Sequence, residues 1–201
     1  MIEFILLVVV GLVPAIVLHE YAHGWVANRL GDPTARLSGR LTVNPIKHVD
    51  LFGSILFPAI LFLVHSPVML GWAKPVPVNF SRLNNPKRDM MLVAVAGPIV
   101  NIILAFALAQ LMRLGIFEQW HGVLRSVFEL NLVLAIFNMV PIPPLDGSRI
   151  VLGFLPNSLA RAYASLEPFG IVIVLVMLQL GLLSFIYPVI DFLAALLGVR
   201  L

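Results

Sequence analysis

The sequence predicts an all-α polytopic membrane protein: a bundle of about four to six transmembrane helices with one short extended or re-entrant segment associated with the membrane. Three observations lead there. Of the 201 residues, 60% are hydrophobic and 11% charged, an excess that a water-soluble domain of this length could not bury in one core. Several apolar stretches approach the length of about 20 residues that a membrane helix needs. Between them the polar segments are short, with no repeat, low-complexity tract or linker, so residues 1–201 read as one domain.

Taken in order, the first span covers roughly 3–29. It opens MIEFILLVVVGLVPAIVL, with no basic n-region and no small-residue cleavage site, and so reads as a retained helix. Further spans are expected over roughly 90–112, 125–140 and 169–187. The stretch Leu51 to Leu70 is ambiguous, because it contains Gly53, Pro58, Ser66 and Pro67 and runs into GWAKPVPVN, whose alternating prolines forbid a helix and favour extended chain. The last apolar piece, Val189 to Val199, follows Pro188 and reads as a surface helix or a continuation of the preceding span. The chain therefore divides into a core over about 3–150 and a C-terminal transmembrane segment over about 169–199.

Eight of the 13 Lys and Arg lie from Arg29 to Arg88, which the positive-inside rule assigns to the cytoplasm. The first span then runs inward, the span at 90–112 returns outward, and that at 125–140 comes back. With residues 40 and 85 on one side, the chain between them crosses an even number of times or only dips into the bilayer. The net charge of +3 is spread over loops, without the basic patch and interleaved aromatics of a nucleic-acid binder. The absence of Cys excludes disulfides, thiolate metal sites and cysteine nucleophiles.

Chemistry concentrates at His19-Glu20-Tyr21-Ala22-His23, an H-E-x-x-H pattern inside the first span. Histidines at i and i+4 share one helix face about a turn apart and can bind one Zn²⁺, while Glu20 sits beside that face as a candidate general base. Counting back from Arg29 at 1.5 Å per residue puts His23 about 9 Å and His19 about 15 Å deep. Ionisable groups at such depth are costly and mark function. A catalytic zinc usually takes three protein ligands, so one more donor is needed. The best candidate is Asp146, in the run Asn138 to Gly147 (NMVPIPPLDG), where Pro141, Pro143 and Pro144 end the helix and Gly147 permits a tight backbone that aims the carboxylate inward.

With these motifs, with Gly97-Pro98-Ile99-Val100-Asn101 opening the middle span, and with GWAKPVPVN at 71–79, the chain resembles the site-2 proteases, intramembrane zinc metalloproteases. The resemblance covers most of residues 10–150. It implies that His19, His23 and Asp146 bind zinc, that Glu20 is the general base, and that Asn138 helps to bind substrate or the oxyanion. It also implies a transmembrane protein substrate and, with no PDZ or nucleotide-sensing domain in the chain, a minimal catalytic core. The expected location is a bacterial or archaeal cell membrane, with the active site nearer the cytoplasmic side.

Asn101 and Asn138 are amides within apolar spans, and each should hydrogen-bond across helices or to substrate. For Asn101 the structural role is favoured, for Asn138 the functional one. His48, His65 and His121 read as surface histidines, and Glu3, Glu118 and Glu129 as interfacial charges. Two rival functions use the same residues: a metal transporter, which would need polar groups along a path through the bilayer, and an inactive homologue that binds membrane proteins. The substrate's identity and the oligomeric state are not encoded in any motif.

Overall fold

A computed structural model describes residues 2, 6–65 and 71–200, so Glu3 and the 66–70 part of the ambiguous stretch lie outside the described residues. Among the described residues every regular element is a helix. Four are long and apolar enough to cross a bilayer: α1 (Leu7–Arg29), α3 (Pro86–Arg113), α4 (Glu118–Asn138) and α6 (Asn157–Gln179). Shorter apolar helices are α2 (Leu51–Leu63) and α7 (Ile186–Leu196), and α5 (Asp146–Phe154) follows the proline turn. At 1.5 Å per residue α1 is about 35 Å long and α4 about 32 Å, enough for a hydrocarbon core of about 30 Å. The protein is a multi-pass membrane protein.

Helix α3 is the centre of the bundle and packs against α1, α4 and α5. Its buried face carries Ala94, Gly97, Ala105 and Ala109, and Ala15, Ala22 and Ala27 are buried on α1. Small residues let backbones approach closely where lipid offers no hydrophobic drive for helices to associate. Val9, Ile99, Ile103, Phe106, Val172 and Val176 instead lie exposed on the outside, as lipid-facing side chains should. The polarity is inverted relative to a soluble protein, since the buried interior holds His19, His23, Asn101 and Asn131.

Of the ambiguous stretch, residues 51–65 pair at their start with the chain that resumes at residue 71. Asp50 caps α2 by accepting the Gly53 N–H at 2.6 Å, and the helix runs 13 residues, about 20 Å, too short to cross. The chain returns extended beside the start of the same helix, where Trp72 N–H donates to Gly53 O at 3.0 Å and the Ser54 hydroxyl to Trp72 O at 2.9 Å. The Trp72 ring packs on Phe52 and Phe57, with centroids 5.9 and 5.2 Å away. The start of α2 and the returning chain thus lie side by side, which is compatible with the parity condition. Residues 71–79 continue as an extended strap. It is held by Lys74 N–H to His48 O at 2.8 Å, by Arg40 donating to Lys74 O at 2.8 Å, and by Asn79 N–H to the buried Asp32 carboxylate at 2.6 Å.

Two expectations need correction. The apolar run 169–187 is not one helix: α6 starts earlier, passes through a tight turn at Glu167–Phe169 and ends at Gln179. The chain then turns through Leu180–Phe185, with Gly181 at φ +66°, and α7 folds back onto α4. Leu183, Ile186, Ile190 and Ala194 form the stripe that drives this, packed with Ala105, Phe128 and Leu132 in the main core. His48 is not a surface histidine but is 2% exposed, its Nε2–H donating to Thr42 O at 2.8 Å, because its loop folds under the strap. His65, His121 and Glu118 are exposed, and Glu129 pairs with Arg125 at 2.9 Å.

Candidate metal centre

His19 and His23 lie one turn apart on the buried face of α1, and Asp146 is the first residue of α5. Their approach depends on two glycines. A Cβ on Gly97 of α3 would stand 2.5 Å from both imidazoles, so only glycine lets α3 pass behind the histidine pair. At Gly147 the reason is the same and not a special backbone angle: a Cβ there would occupy the space of the Met139 and Val140 carbonyls, against which the start of α5 is seated. The helix start is also where the backbone dipole favours a carboxylate.

The three side chains converge. His19 Nε2 and His23 Nε2 are 3.0 Å apart and lie 3.1 and 3.3 Å from Asp146 Oδ2. Their protonation can be read from what lies behind them. His23 Nδ1 is 2.7 Å from Val93 O, a carbonyl that can only accept, so Nδ1 carries a proton and, in the neutral imidazole, Nε2 is bare. His19 Nδ1 is 2.6 Å from Asn101 Oδ1, another acceptor, with the same consequence. In that neutral state the 3.0 Å contact between the two Nε2 atoms has no proton to carry it. Asp146 Oδ2 is buried with no hydrogen-bond donor. With both imidazoles neutral, three lone pairs face one another, an arrangement that a bound cation would satisfy. Tetrahedral ligation at about 2.0–2.1 Å separates ligand atoms by about 3.3 Å, which is the spacing found here. The donor set fits zinc.

A cavity of about 290 Å³ opens onto this centre, lined by Glu20, Asn138 and Arg149 as well as the three convergent residues. Glu20 accepts the Val76 N–H at 2.7 Å, so the strap fixes the direction of its carboxylate. Asn138, the last residue of α4, lines the cavity while its Nδ2 donates to Leu134 O one turn back at 2.9 Å. Among the described contacts that bond stays within its own helix, and the second amide hydrogen is not engaged. Arg149 pairs with Glu167 and lies over the Phe80 ring at 5.5 Å. The five site residues expected from sequence thus surround one space. Three contributors were not read from sequence: Gly97 as the space for the histidines, the Val76 N–H, and Asn131, which hydrogen-bonds to Asn101 at 3.0 Å. Asn131 alone left a usable signal, as an amide in an apolar span two turns before Asn138.

Known proteins agree with this picture. The family model described as Peptidase family M50 matches residues 6–122 and 115–181. The chain is 38% identical over 194 residues to a Bacillus subtilis (strain 168) protein named Putative zinc metalloprotease YwhC, covering 91% of this chain and 85% of that one. It is 31% identical over 175 residues to Putative zinc metalloprotease Rip2 of Mycobacterium tuberculosis (strain ATCC 25618 / H37Rv), covering 85% of this chain and 66% of that protein. No solved structure matches. A chain that matches the family along most of its length belongs to it: this is a zinc metalloprotease of peptidase family M50, the site-2 proteases.

Proposed function

We propose that His19, His23 and Asp146 hold the zinc, that Glu20 is the general base, and that the enzyme hydrolyses peptide bonds of membrane-spanning proteins at bilayer depth. The convergence of His19 Nε2, His23 Nε2 and Asp146 Oδ2 on one point carries this reading. When bound, the zinc supplies a Lewis acid that polarises the scissile carbonyl and acidifies water. Glu20, held by the Val76 N–H, takes the proton of the attacking water and delivers it to the leaving amine, which completes hydrolysis with no net proton change. Asn138 offers its unengaged amide hydrogen to the substrate backbone or the developing oxyanion. A substrate helix must unwind to expose its carbonyl. The strap offers it few donors, since Pro75 and Pro77 have no N–H and those of Trp72, Lys74 and Val76 are bonded to the protein. Val78 and Phe80, which line the cavity, pack in the cluster that includes Val26 and Leu30 near the Arg29 end of α1, and by the positive-inside rule the active site is nearer the cytoplasmic face of a bacterial or archaeal cell membrane.

The test is zinc content and cleavage of a single-span substrate by purified protein. Glu20→Gln keeps its zinc and loses about 10²- to 10⁴-fold in turnover, while His19→Ala, His23→Ala and Asp146→Ala each lose most of the metal. Wild-type turnover by Glu20→Gln overturns its role, and an inactive wild-type protein that binds helices would be a binding homologue. Full zinc occupancy in Asp146→Ala removes that residue from the ligand set.

A further inference from the structure

Behind His19 lies a chain of two buried amides that the hydrolytic chemistry does not use. Asn131 on α4 is 1% exposed and Asn101 on α3 fully buried. Neither touches the cavity. Two primary amides deep in an apolar bundle are costly unless every polar atom is matched, and here the matching has one direction.

The direction is set at a backbone carbonyl. Val127 O accepts from Asn131 at 2.8 Å, so the atom facing it is Nδ2 and the Oδ1 of Asn131 faces the other way. That oxygen lies 3.0 Å from Asn101, which must present its Nδ2. The same Nδ2 donates to Ala15 O at 3.3 Å. Asn101 Oδ1 is thereby turned to His19 Nδ1 at 2.6 Å. Each bond leaves one choice for the next, and the last fixes the Nδ1–H tautomer of His19 with a bare Nε2. Rotating the Asn101 amide by half a turn would present N–H to Nδ1 and move the imidazole proton onto Nε2, where it would block a metal. Ala15 O opposes that flip through one long bond. Asn131 opposes it through a shorter one.

Resting on the assignment of His19 as a metal ligand, we infer that Asn131 is a positioning residue for the metal: acting through Asn101, it holds His19 in the one tautomer that can bind zinc. His23 needs no such relay because its Nδ1 is bonded to a main-chain carbonyl that cannot flip. The two histidines therefore differ in kind, one oriented by the backbone and the other by a side-chain relay across three helices.

The experiment uses the full-length protein in detergent, with the zinc dissociation constant from chelator competition, ¹⁵N shifts of histidine in the metal-free protein, and the melting temperature of that form. Asn131→Leu, similar in size but without the acceptor, raises the dissociation constant about 10- to 100-fold and gives His19 a mixture of tautomers. Asn131→Asp, whose neutral acid keeps an acceptor for Asn101 and an O–H for Val127 O, restores both readouts. If Asn131→Leu does not fold, Asn131→Ser, too short to reach Asn101, is read in the same way. A purely structural tie between α3 and α4 predicts a lower melting temperature with unchanged zinc affinity and a single His19 tautomer, and that result overturns the inference. His19→Ala separates the two claims. If it retains zinc, the ligand assignment fails. If it loses zinc while Asn131→Leu binds normally, only the relay fails.

Discussion

At Gly97 the bundle has no room for a methyl group. Its absent side chain is the space in which both imidazoles sit, so Gly97→Ala pushes two proposed zinc ligands at once away from Asp146. Overpacking of this kind costs about 1–3 kcal/mol, which a bundle of this size can absorb, but zinc ligands must hold position to within about 0.5 Å. The expected outcome is a helical, membrane-extractable protein with native circular dichroism and little bound zinc. Normal zinc content in Gly97→Ala would mean that α3 moves aside without cost. This is also the limit of what the sequence could say at this scale. His19, Glu20 and His23 were legible because helical periodicity alone puts them together, and Asp146 because three prolines and a glycine mark a non-helical turn. Gly97 and Asn131 act through what they face on another helix, and no local pattern encodes that. For Asn101 the expected structural role proved incomplete, since its oxygen meets His19.

The strap over residues 71–79 is the element that joins the loop region to the active site. Prolines at 75 and 77 announced extended chain, and parity allowed either an even number of crossings or a re-entrant dip, but the strap's attachments could not be foreseen. The main anchor is Asp32, fully buried, whose carboxylate accepts from Thr34 N–H, from the Thr34 hydroxyl and from Asn79 N–H. Asp32→Ala leaves those part-buried donors without their acceptor, at about 1 kcal/mol each or less where water can replace it. The expected result is faster protease nicking within 71–79 and weaker apparent substrate binding, with zinc content unchanged because Asp32 does not reach the metal centre. Loss of zinc would show that the strap supports the metal and not just Glu20. At the C-terminal end the sequence misled for a physical reason. Residues 169–187 are apolar throughout, and Gly181 alone does not announce a turn, which is imposed by the stripe of α7 seeking the groove on α4.

For the whole molecule, the number of long helices and their order were readable, because length and hydropathy decide what spans a bilayer. The threading makes a prediction of its own. The chain contains no cysteine, so single cysteines can be introduced without background. Cysteines replacing Arg40 and Arg82, which lie on either side of the hairpin, should react with an impermeant reagent from the cytoplasmic side, and one replacing Gln119 in the first turn of α4 from the other. Labelling of Arg40→Cys and Arg82→Cys from opposite sides would break the hairpin into a crossing. The metal centre also joins the first helix to a residue more than a hundred positions later. At synthesis rates of about 5–20 residues per second, α1 waits on the order of ten seconds before Asp146 is made. During that interval two histidines and a glutamate sit in a newly inserted helix without their partner, so the enzyme is born inactive, and insertion of its own later helices sets the moment at which it can first cut.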